Sequence, residues 1–306
     1  MKKVLELIVY LGSLLLALGI LFTVRGDLWV HVEKYIKPNK YNTIGEVNEY
    51  YREENFLFVQ NAEQFTPMNK QDILNIYYSA INAGKNEFTF FCTAEFPDCI
   101  QVIEEIANDQ NILSDINNYV HPFNSFSHIE TEYDTRGKVT ISIVHTYTKD
   151  RIDAITQKMD ELAPELIKED DTIYNNIKRI HDYIIENAEY DLERADFGDD
   201  TYQSDTAYGP LIQGKAVCGG YTDLMALYLD RMNIPNFRVS SDKHIWNAVL
   251  IDDKWVHLDL TWDDPVYEDG SQQVDHRFFL INTQTLYAEE ETEHNFDTNN
   301  YPELVA

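Results

Sequence analysis

The sequence has few basic residues and few cysteines, and each scarcity excludes a class of protein. Among 306 residues, 24 are Lys or Arg and 53 are Asp or Glu, so the formal net charge is −29. A chain with this charge repels a phosphate backbone, and we therefore exclude nucleic acid as a partner. Three cysteines, Cys92, Cys99 and Cys218, are too few for a disulfide framework and lack the spacing of a zinc site.

Hydrophobic residues are plentiful enough to exclude a disordered chain. They make up 44% of the sequence, and 13% of the residues are aromatic, so the chain can bury a substantial core. At about 150 residues per domain, the length indicates roughly two domains, with one large domain as the alternative. We expect no cofactor and no metal. The remaining histidines, including His257 and His276, have no partners at metal-ligand spacing, and the acidic loop at 263–269 lacks the spacing of a calcium-binding EF-hand.

The N-terminus contains a long uncharged run. Residues 7–24 carry no charge over 18 positions and follow Lys2 and Lys3. A helix of that length spans about 27 Å, close to the hydrocarbon thickness of a bilayer. Ala17-Leu18-Gly19 also resembles a signal-peptide cleavage site, but the apolar run continues beyond it. We predict that residues 1–25 form a single-pass anchor in the cell membrane, with the bulk of the chain outside the cell.

Residues 26–165 are predicted to form a small α+β domain whose role the sequence does not reveal. Apolar spacing predicts helices over 72–83, 98–119 and 150–162, a strand over 87–92, and a β-hairpin formed by 128–133 and 138–147. Cys92 and Cys99 are close enough in sequence to pair in an oxidising compartment, and two buried free thiols are the alternative.

A cysteine stands at the start of a strongly patterned helix. Apolar residues at helical spacing form one stripe after Cys218: Tyr221, Leu224, Met225, Tyr228, Leu229 and Met232. The unpaired N–H groups and the dipole of a first helical turn favour a thiolate there. Gly219 and Gly220 are poor helix formers, and we interpret them as space for a substrate backbone. A buried structural cysteine is the alternative.

A β-hairpin is predicted farther along the chain. The apolar-rich runs 244–251 and 254–260 are separated by Asp252-Asp253, a two-residue turn. A two-residue turn pairs the residues directly before and after it, so Ile251 faces Lys254. A loop of odd length would shift this pairing and place the side chains of the two runs on opposite faces.

This register brings a histidine and a carboxylate to one face of the hairpin. Trp246 stands opposite Asp259, and His244 is the diagonal neighbour of Asp259, about 7–8 Å away at the backbone. A carboxylate that orients an imidazole, which in turn pairs with the Cys218 thiolate, has the logic of covalent acyl transfer. The alternative interpretation makes Asp259 a strand-end cap and His244 a loop residue.

Three segments resemble one known family. They are GKAVCGGY at 214–221, HIWN at 244–247 and WVHLDLTWDDP at 255–265. In this order they are similar to the transglutaminase-like superfamily, and more narrowly to the bacterial transglutaminase/protease-like domains related to papain-type cysteine proteases. The resemblance extends over about residues 170 to 285.

The resemblance implies a papain-like domain over 166–290, in which a helix packs on an antiparallel sheet. It further implies that Cys218 is the nucleophile, His244 the general base and acid, and Asp259 the group that orients the histidine. The whole chain is then an α+β protein: a transmembrane helix, the small α+β domain, the transglutaminase-like domain and an acidic tail over 291–306. Family members often carry glycine before the histidine and alanine after it, where this chain has Lys243 and Ile245.

The groups that would bind the substrate are less well marked. The backbone N–H of Cys218 is a natural oxyanion donor, and Gln213 or Tyr208 could supply a second. Trp246 is a candidate wall of the site. Loop packing for the first two and a core position for the tryptophan are the alternatives.

The function expected from the sequence is that of a membrane-anchored cysteine enzyme. It would catalyse acyl transfer on a peptide or protein substrate, by hydrolysis of a peptide or amide, with Gln–Lys crosslinking as a variant of the same chemistry. The alternative is a catalytically inactive transglutaminase-like module that binds peptide or cell-wall material at the cell surface.

Overall fold

The computed structural model describes residues 43–265, 273–290 and 292–305. The predicted anchor over 1–25 lies outside these ranges. Within them, no helix combines the length and the apolar character needed to span a bilayer.

The N-terminal part of the described chain combines three helices with an antiparallel sheet. The elements are α1 (Lys70–Asn82), β1 (Glu87–Phe91), α2 (Cys99–Asn108), α3 (Gln110–Asn118), a 3₁₀ turn (Pro122–Asn124), β2 (Phe126–Tyr133) and β3 (Lys138–His145). The strand order is β1-β3-β2, and both strand pairs are antiparallel. The predicted first helix, the first strand and the hairpin are therefore confirmed.

The single helix predicted over 98–119 is wrong, because the chain bends at Asp109. The backbone of Asp109 is extended, with φ −95° and ψ 94°, which ends α2. Its carboxylate then accepts hydrogen bonds from the N–H groups of Asn111 and Ile112 and caps α3. An aspartate that caps a new helix competes with continuation of the old one, although the apolar spacing runs through both helices.

Cys92 and Cys99 form a disulfide that joins the end of β1 to the start of α2. Of the two alternatives open in the sequence, the structure has the paired state. Cys218 is consequently the free thiol of the chain.

The C-terminal part is built around one buried helix and a second antiparallel sheet. Its elements are α4 (Lys149–Leu166), α5 (Ile173–Asn187), β4 (Glu189–Tyr190), α6 (Leu192–Phe197), a π-helical turn (Gly209–Gln213), β5 (Lys215–Ala216), α7 (Cys218–Arg231), β6 (Asn236–Ser240), β7 (Ile245–Ile251), β8 (Lys254–Leu258), α8 (Thr283–Glu289) and a 3₁₀ turn (Pro302–Leu304). Strands β6, β7 and β8 pair antiparallel in that order, and β4 pairs parallel with β5. Helix α4 extends beyond the predicted 150–162 at both ends.

The predicted hairpin between β7 and β8 has the expected register. Ile251 is paired with Lys254, and Asn247 with Leu258. The turn residues Asp252 and Asp253 have φ values of 48° and 61°. Two consecutive left-handed residues produce the backbone twist that a two-residue hairpin turn requires. The even turn length is thus confirmed.

The two parts of the chain are packed against each other through buried contacts. The rings of Tyr119, which follows α3, and Phe237 on β6 are stacked 4.8 Å apart. The buried Arg52 donates hydrogen bonds to the carbonyls of Tyr119 and Asn236, at 3.1 and 2.7 Å. Its guanidinium also pairs with Asp230 at the end of α7, at 2.8 Å. These contacts hold the end of α7 and the start of β6 against the N-terminal part.

The C-terminal segment differs from the acidic tail that the sequence predicts. Phe296, Tyr301 and Leu304 are buried in the same hydrophobic cluster as residues of both sheets. The Tyr301 hydroxyl donates to the Asp115 carboxylate at 2.5 Å. Three apolar residues dispersed among acidic ones are enough to dock the segment, because each is buried in this cluster.

Candidate active site

Cys218 is the first residue of α7 and its side chain is partly exposed. The helix behind it is buried along most of its length, which fixes the position of its first turn. The N–H groups of a first helical turn have no partner within the helix, and they favour negative charge beside them. The sequence-predicted cysteine therefore stands where a thiolate is stabilised and where solvent reaches it.

The two glycines after Cys218 serve packing, and their interpretation as space for a substrate backbone is wrong. A methyl group on Gly220 would lie 2.2 Å from the carbonyl oxygen of Ser204, and one on Gly219 would lie 2.8 Å from that of Asp205. The backbone of the protein itself approaches these positions. The glycines let α7 pass against the preceding loop.

Two hydrogen bonds attach α7 to the strand that follows His244. The Thr222 hydroxyl donates to the carbonyl of Ile245 at 3.0 Å, and the Asn247 amide donates to the carbonyl of Thr222, also at 3.0 Å. Both bonds are made by residues close to the site, one turn from Cys218 and beside His244. They fix the distance between the helix that carries the thiol and the strand that begins directly after His244.

His244 lies between Asp259 and Cys218. Its Nε2 atom is 2.6 Å from Oδ2 of Asp259, which leaves Nδ1 for the thiol. Burial alone would lower the pKa of His244, but the charge and hydrogen bond of Asp259, followed by those of Cys218, raise it to about 10. The structure thus brings the three predicted residues together and favours an imidazolium at neutral pH.

The Asp259 carboxylate is buried and receives hydrogen bonds on both oxygens. Oδ1 accepts from the N–H groups of Thr261 and Trp262, at 2.9 and 3.3 Å. Oδ2 accepts from His244 and, at 2.8 Å, from Nε2 of His294. Burial alone would raise the pKa of Asp259, but the charges and hydrogen bonds of the two histidines hold it well below its usual range.

Sequence reasoning missed His294. The residue lies in the segment predicted to be an acidic tail, 35 positions after Asp259. No periodic pattern connects positions so far apart in sequence and outside a common element. The sequence around it offers one weak indication. His294 stands two residues before Phe296 in a segment that is otherwise rich in acidic and amide residues.

The candidate substrate-binding residues have other partners. Trp246 is fully buried behind His244, with its ring stacked 5.6 Å from the imidazole, and its Nε1 donates to Nδ1 of His257. It supports His244 and does not wall an open site. The side-chain oxygen of Gln213 accepts a hydrogen bond from the backbone of Gln203, and Tyr208 packs against the hydrophobic cluster around α7.

Tyr190 on β4 lies near the thiol of Cys218. Burial, followed by the negative charges of Cys218 and Glu293, raises the pKa of its hydroxyl. Helix α6, which comes next in the chain, exposes the apolar side chains of Leu192 and Phe197. The residues that follow Tyr190 in the chain therefore present apolar side chains to solvent.

A second cluster of histidines and carboxylates could hold a metal by distance alone. His181, Asp182 and His276 place ligand atoms within 4.8 Å of one another. However, the Lys178 ammonium lies 2.9 Å from Nε2 of His276 and also pairs with Asp182. His181 donates to Asp182 and Asp263, and these bonds raise its pKa against the effect of burial. Fixed cations already balance these carboxylates, so the cluster is an ion-pair network.

Part of the chain is similar to a known protein family. A family model described as the transglutaminase-like superfamily matches residues 160–260. A solved structure described as a TGase has a TM-score of 0.33 and 16% identity, over 45% of this chain and 44% of that one. A candidate cysteine protease from Cytophaga hutchinsonii has a TM-score of 0.28 and 16% identity, over 44% of this chain and 61% of that one. The chain thus spans less than two thirds of either structure.

No curated protein matches the chain. The family match confirms the resemblance carried by the three sequence segments, and the fold around it is a mixture of helices and antiparallel sheets. Residues 160–260 are therefore similar to the transglutaminase-like superfamily.

Proposed function

We propose that the protein is a cysteine-dependent acyl-transfer enzyme in which Cys218 is the nucleophile, His244 the general acid and base, and Asp259 the group that orients the imidazole. The observation that supports this most strongly is the position of His244. It is hydrogen-bonded to a buried carboxylate and interacts with a free thiol at a helix N-terminus. These are the three roles that covalent acyl transfer requires.

In the proposed reaction, the Cys218 thiolate attacks the carbonyl carbon of an amide, and the carbonyl π pair moves to the oxygen. The Cys218 N–H stabilises the oxyanion at the start of α7. When the tetrahedral intermediate collapses, the C–N bond breaks and His244 gives its Nδ1 proton to the departing amine. The product is a thioester on Cys218, a neutral His244 and a free amine.

In deacylation His244 changes from proton donor to proton acceptor. His244 accepts a proton from the second nucleophile as it attacks the thioester, and the thiolate leaves to restore the ion pair. Water as the nucleophile gives peptide or amide hydrolysis, whereas a lysine amine gives a Gln–Lys crosslink. Both outcomes use the same residues up to the thioester, and we propose hydrolysis of a peptide or protein substrate as the main reaction.

We also propose that the domain lies outside the cell on a single-pass anchor formed by residues 1–25. The uncharged 18-residue run supports the anchor. The Cys92–Cys99 disulfide supports the location, because such bonds persist in oxidising compartments. Protease treatment of intact cells should remove the domain. Degradation only after lysis would contradict the proposed orientation.

The catalytic proposal is tested by alkylation of Cys218 with iodoacetamide at pH 6 without reductant. The disulfide leaves one free thiol, so modification reports on one residue. We expect the wild-type rate to exceed that of an ordinary thiol by at least about 10-fold, because a free thiol with a pKa near 8.5 is almost fully protonated at pH 6. His244→Ala should lose this excess, and Cys218→Ala should take up no label. A wild-type rate equal to that of a free thiol would instead favour a binding module.

A further inference from the structure

The buried carboxylate of the site is held by a residue from the far end of the chain. His294 is fully buried, and its Nε2 lies 2.8 Å from the oxygen of Asp259 that also accepts from His244. The other oxygen accepts from the backbone of Thr261 and Trp262. With four donors around it, the carboxylate has one orientation in which all of its hydrogen bonds are made.

The hydrogen-bonding pattern identifies the tautomer of His294. An ionised carboxylate only accepts, so Nε2 of His294 must carry the proton in its bond to Asp259. Its Nδ1 is buried and has no hydrogen-bond partner among the described residues. A proton on Nδ1 would therefore be a buried donor without an acceptor, which is unfavourable. His294 therefore orients Asp259 through its Nε2–H.

The imidazole of His294 is itself fixed by its surroundings. Its ring stacks on Phe278 at 5.2 Å and contacts the rings of Trp262 and Trp246, at 5.5 and 4.8 Å. An apolar enclosure of this kind restricts the ring to one rotamer.

A single hydroxyl also connects the backbone at both histidines. Ser241 Oγ donates to the carbonyl of Glu293 at 2.6 Å and accepts from the N–H of His244 at 3.1 Å. The C-terminal segment is therefore attached to the loop that begins with Ser241, and not to Asp259 alone.

We propose that His294 is a positioning residue of the site, which holds the Asp259 carboxylate in the orientation that pairs with His244. This inference rests on the proposed function. In this proposal His294 acts through its hydrogen bond to Asp259, and its ring also lies edge-on to that of His244, 5.2 Å away. The C-terminal segment over 292–305 is then a functional part of the site.

The test uses the full chain and the alkylation rate of Cys218 at pH 6. His294→Phe keeps a ring in the enclosure but has no donor, and His294→Gln places an amide N–H near the position of Nε2. Loss of a hydrogen bond to a charged group corresponds to about a 10- to 100-fold change, and we expect His294→Phe to slow alkylation by that factor. His294→Gln should stay within about 5-fold of wild type, since the donor is retained.

A double-mutant comparison separates positioning from a general structural effect. If His294 acts through Asp259, His294→Phe should change the rate by less than about 2-fold when Asp259→Asn is already present. An effect of equal size in both backgrounds, or none in the wild-type background, would overturn the inference. If His294→Phe does not fold, equal rates for His294→Gln and the shorter His294→Asn would overturn it as well.

The same data distinguish failure of the inference from failure of the proposed function. A reactive wild-type thiol with an unaffected His294→Phe variant contradicts only the positioning role. A wild-type thiol that is no more reactive than a free cysteine contradicts both, because there is then no ion pair for His294 to support.

Discussion

His244 and Asp259 are joined by a hydrogen bond of 2.6 Å between Nε2 and Oδ2, although they lie 15 residues apart, His244 immediately before β7 and Asp259 immediately after β8. Two features of the local sequence produce it. The two-residue turn sets the register, and the strand period of two then brings both side chains to one face. The pair is buried, so its electrostatic interaction is only weakly screened by salt.

The first prediction is that Asp259→Asn will lower turnover by about 10- to 10³-fold. The asparagine amide would present N–H groups to the N–H donors of His244 and His294, so one hydrogen bond is lost and the imidazolium loses its counter-charge. The effect should be smaller than the roughly 10⁴-fold loss in a serine protease, because in the proposed mechanism a thiolate–imidazolium pair forms before substrate binds. Steady-state kinetics on a peptide amide would measure it, with unfolding monitored in parallel. Full acylation of Cys218 in this variant would contradict the triad.

The second prediction concerns alkaline pH. The native pKa of His244 is about 10, above the value of about 6.5 for a free histidine. The folded state therefore holds a proton that the unfolded state releases, and the stability it contributes is complete below pH 6.5 and lost as the pH rises towards 10. The difference in Tm between wild type and His244→Gln should shrink from pH 6 to pH 10. The exposed His128→Gln variant is the control, and a constant difference for His244→Gln would contradict the prediction.

The same protonation state predicts an alkaline limb in the activity profile. His244 must hold its proton to assist the departing amine, so kcat/KM should fall above about pH 10 and not near 6.5. A fall centred near 6.5 would mean that the imidazole is not paired with Asp259 in the active enzyme.

The parts of the site that depend on short-range patterns could be predicted from the sequence. The helical stripe placed Cys218 at a helix start, and the strand period with a two-residue turn placed His244 beside Asp259. Both predictions use residues of one element or one hairpin. In such cases the geometry follows from helix or strand repeats alone.

The contribution of His294 could not be predicted in the same way. It depends on a contact across 35 positions, formed because Phe296, Tyr301 and Leu304 dock the C-terminal segment into the core. The interpretation of Gly220 as space for a substrate was also wrong. The sequence shows that this position has no side chain, but it does not show which atoms occupy the space. Those atoms belong to Ser204, which is brought there by the loop before α7.

The third prediction concerns the buried ion pair beneath the site. Arg238 Nη1 lies 2.8 Å from Asp223, whose second oxygen accepts from the Tyr147 hydroxyl at 2.6 Å. Removal of one partner of a buried pair costs about 3–5 kcal/mol, because the other charge remains unpaired. Arg238→Met should lower stability by about that amount, measured by denaturant unfolding. The added Asp223→Asn substitution should restore part of it, since it removes the unpaired charge and keeps an acceptor for Tyr147.

A matched control for this experiment is the exposed pair formed by Lys149 and Asp153 on α4. Solvent screens such a pair, so Lys149→Met should leave the unfolding midpoint unchanged. If Arg238→Met also left the unfolding midpoint unchanged, the ion pair would not be needed to hold α7. The connection between β6 and the site would then depend on other contacts.

The fourth prediction is that Gly220→Ala will destabilise the protein, although alanine has the higher helix propensity. Replacing glycine by alanine within a helix contributes about 1 kcal/mol in favour of folding. Here the added methyl group would lie 2.2 Å from the carbonyl oxygen of Ser204. That oxygen cannot withdraw freely, because it also accepts the N–H of Val217 at 2.8 Å. Overpacking of this kind costs about 1–3 kcal/mol, so we expect a net loss and a Tm lower by several degrees.

The neighbouring glycine provides the comparison. A methyl group on Gly219 would lie 2.8 Å from the oxygen of Asp205, and Gly219→Ala should therefore be less destabilising than Gly220→Ala. Because the clash at Gly220 lies in the first turn of α7, it should also move Cys218 away from His244 and slow alkylation at pH 6. Thermal unfolding and alkylation of the two variants, measured side by side, test both effects. A higher Tm for Gly220→Ala would mean that the 204–206 loop yields and that helix propensity decides the outcome at this position.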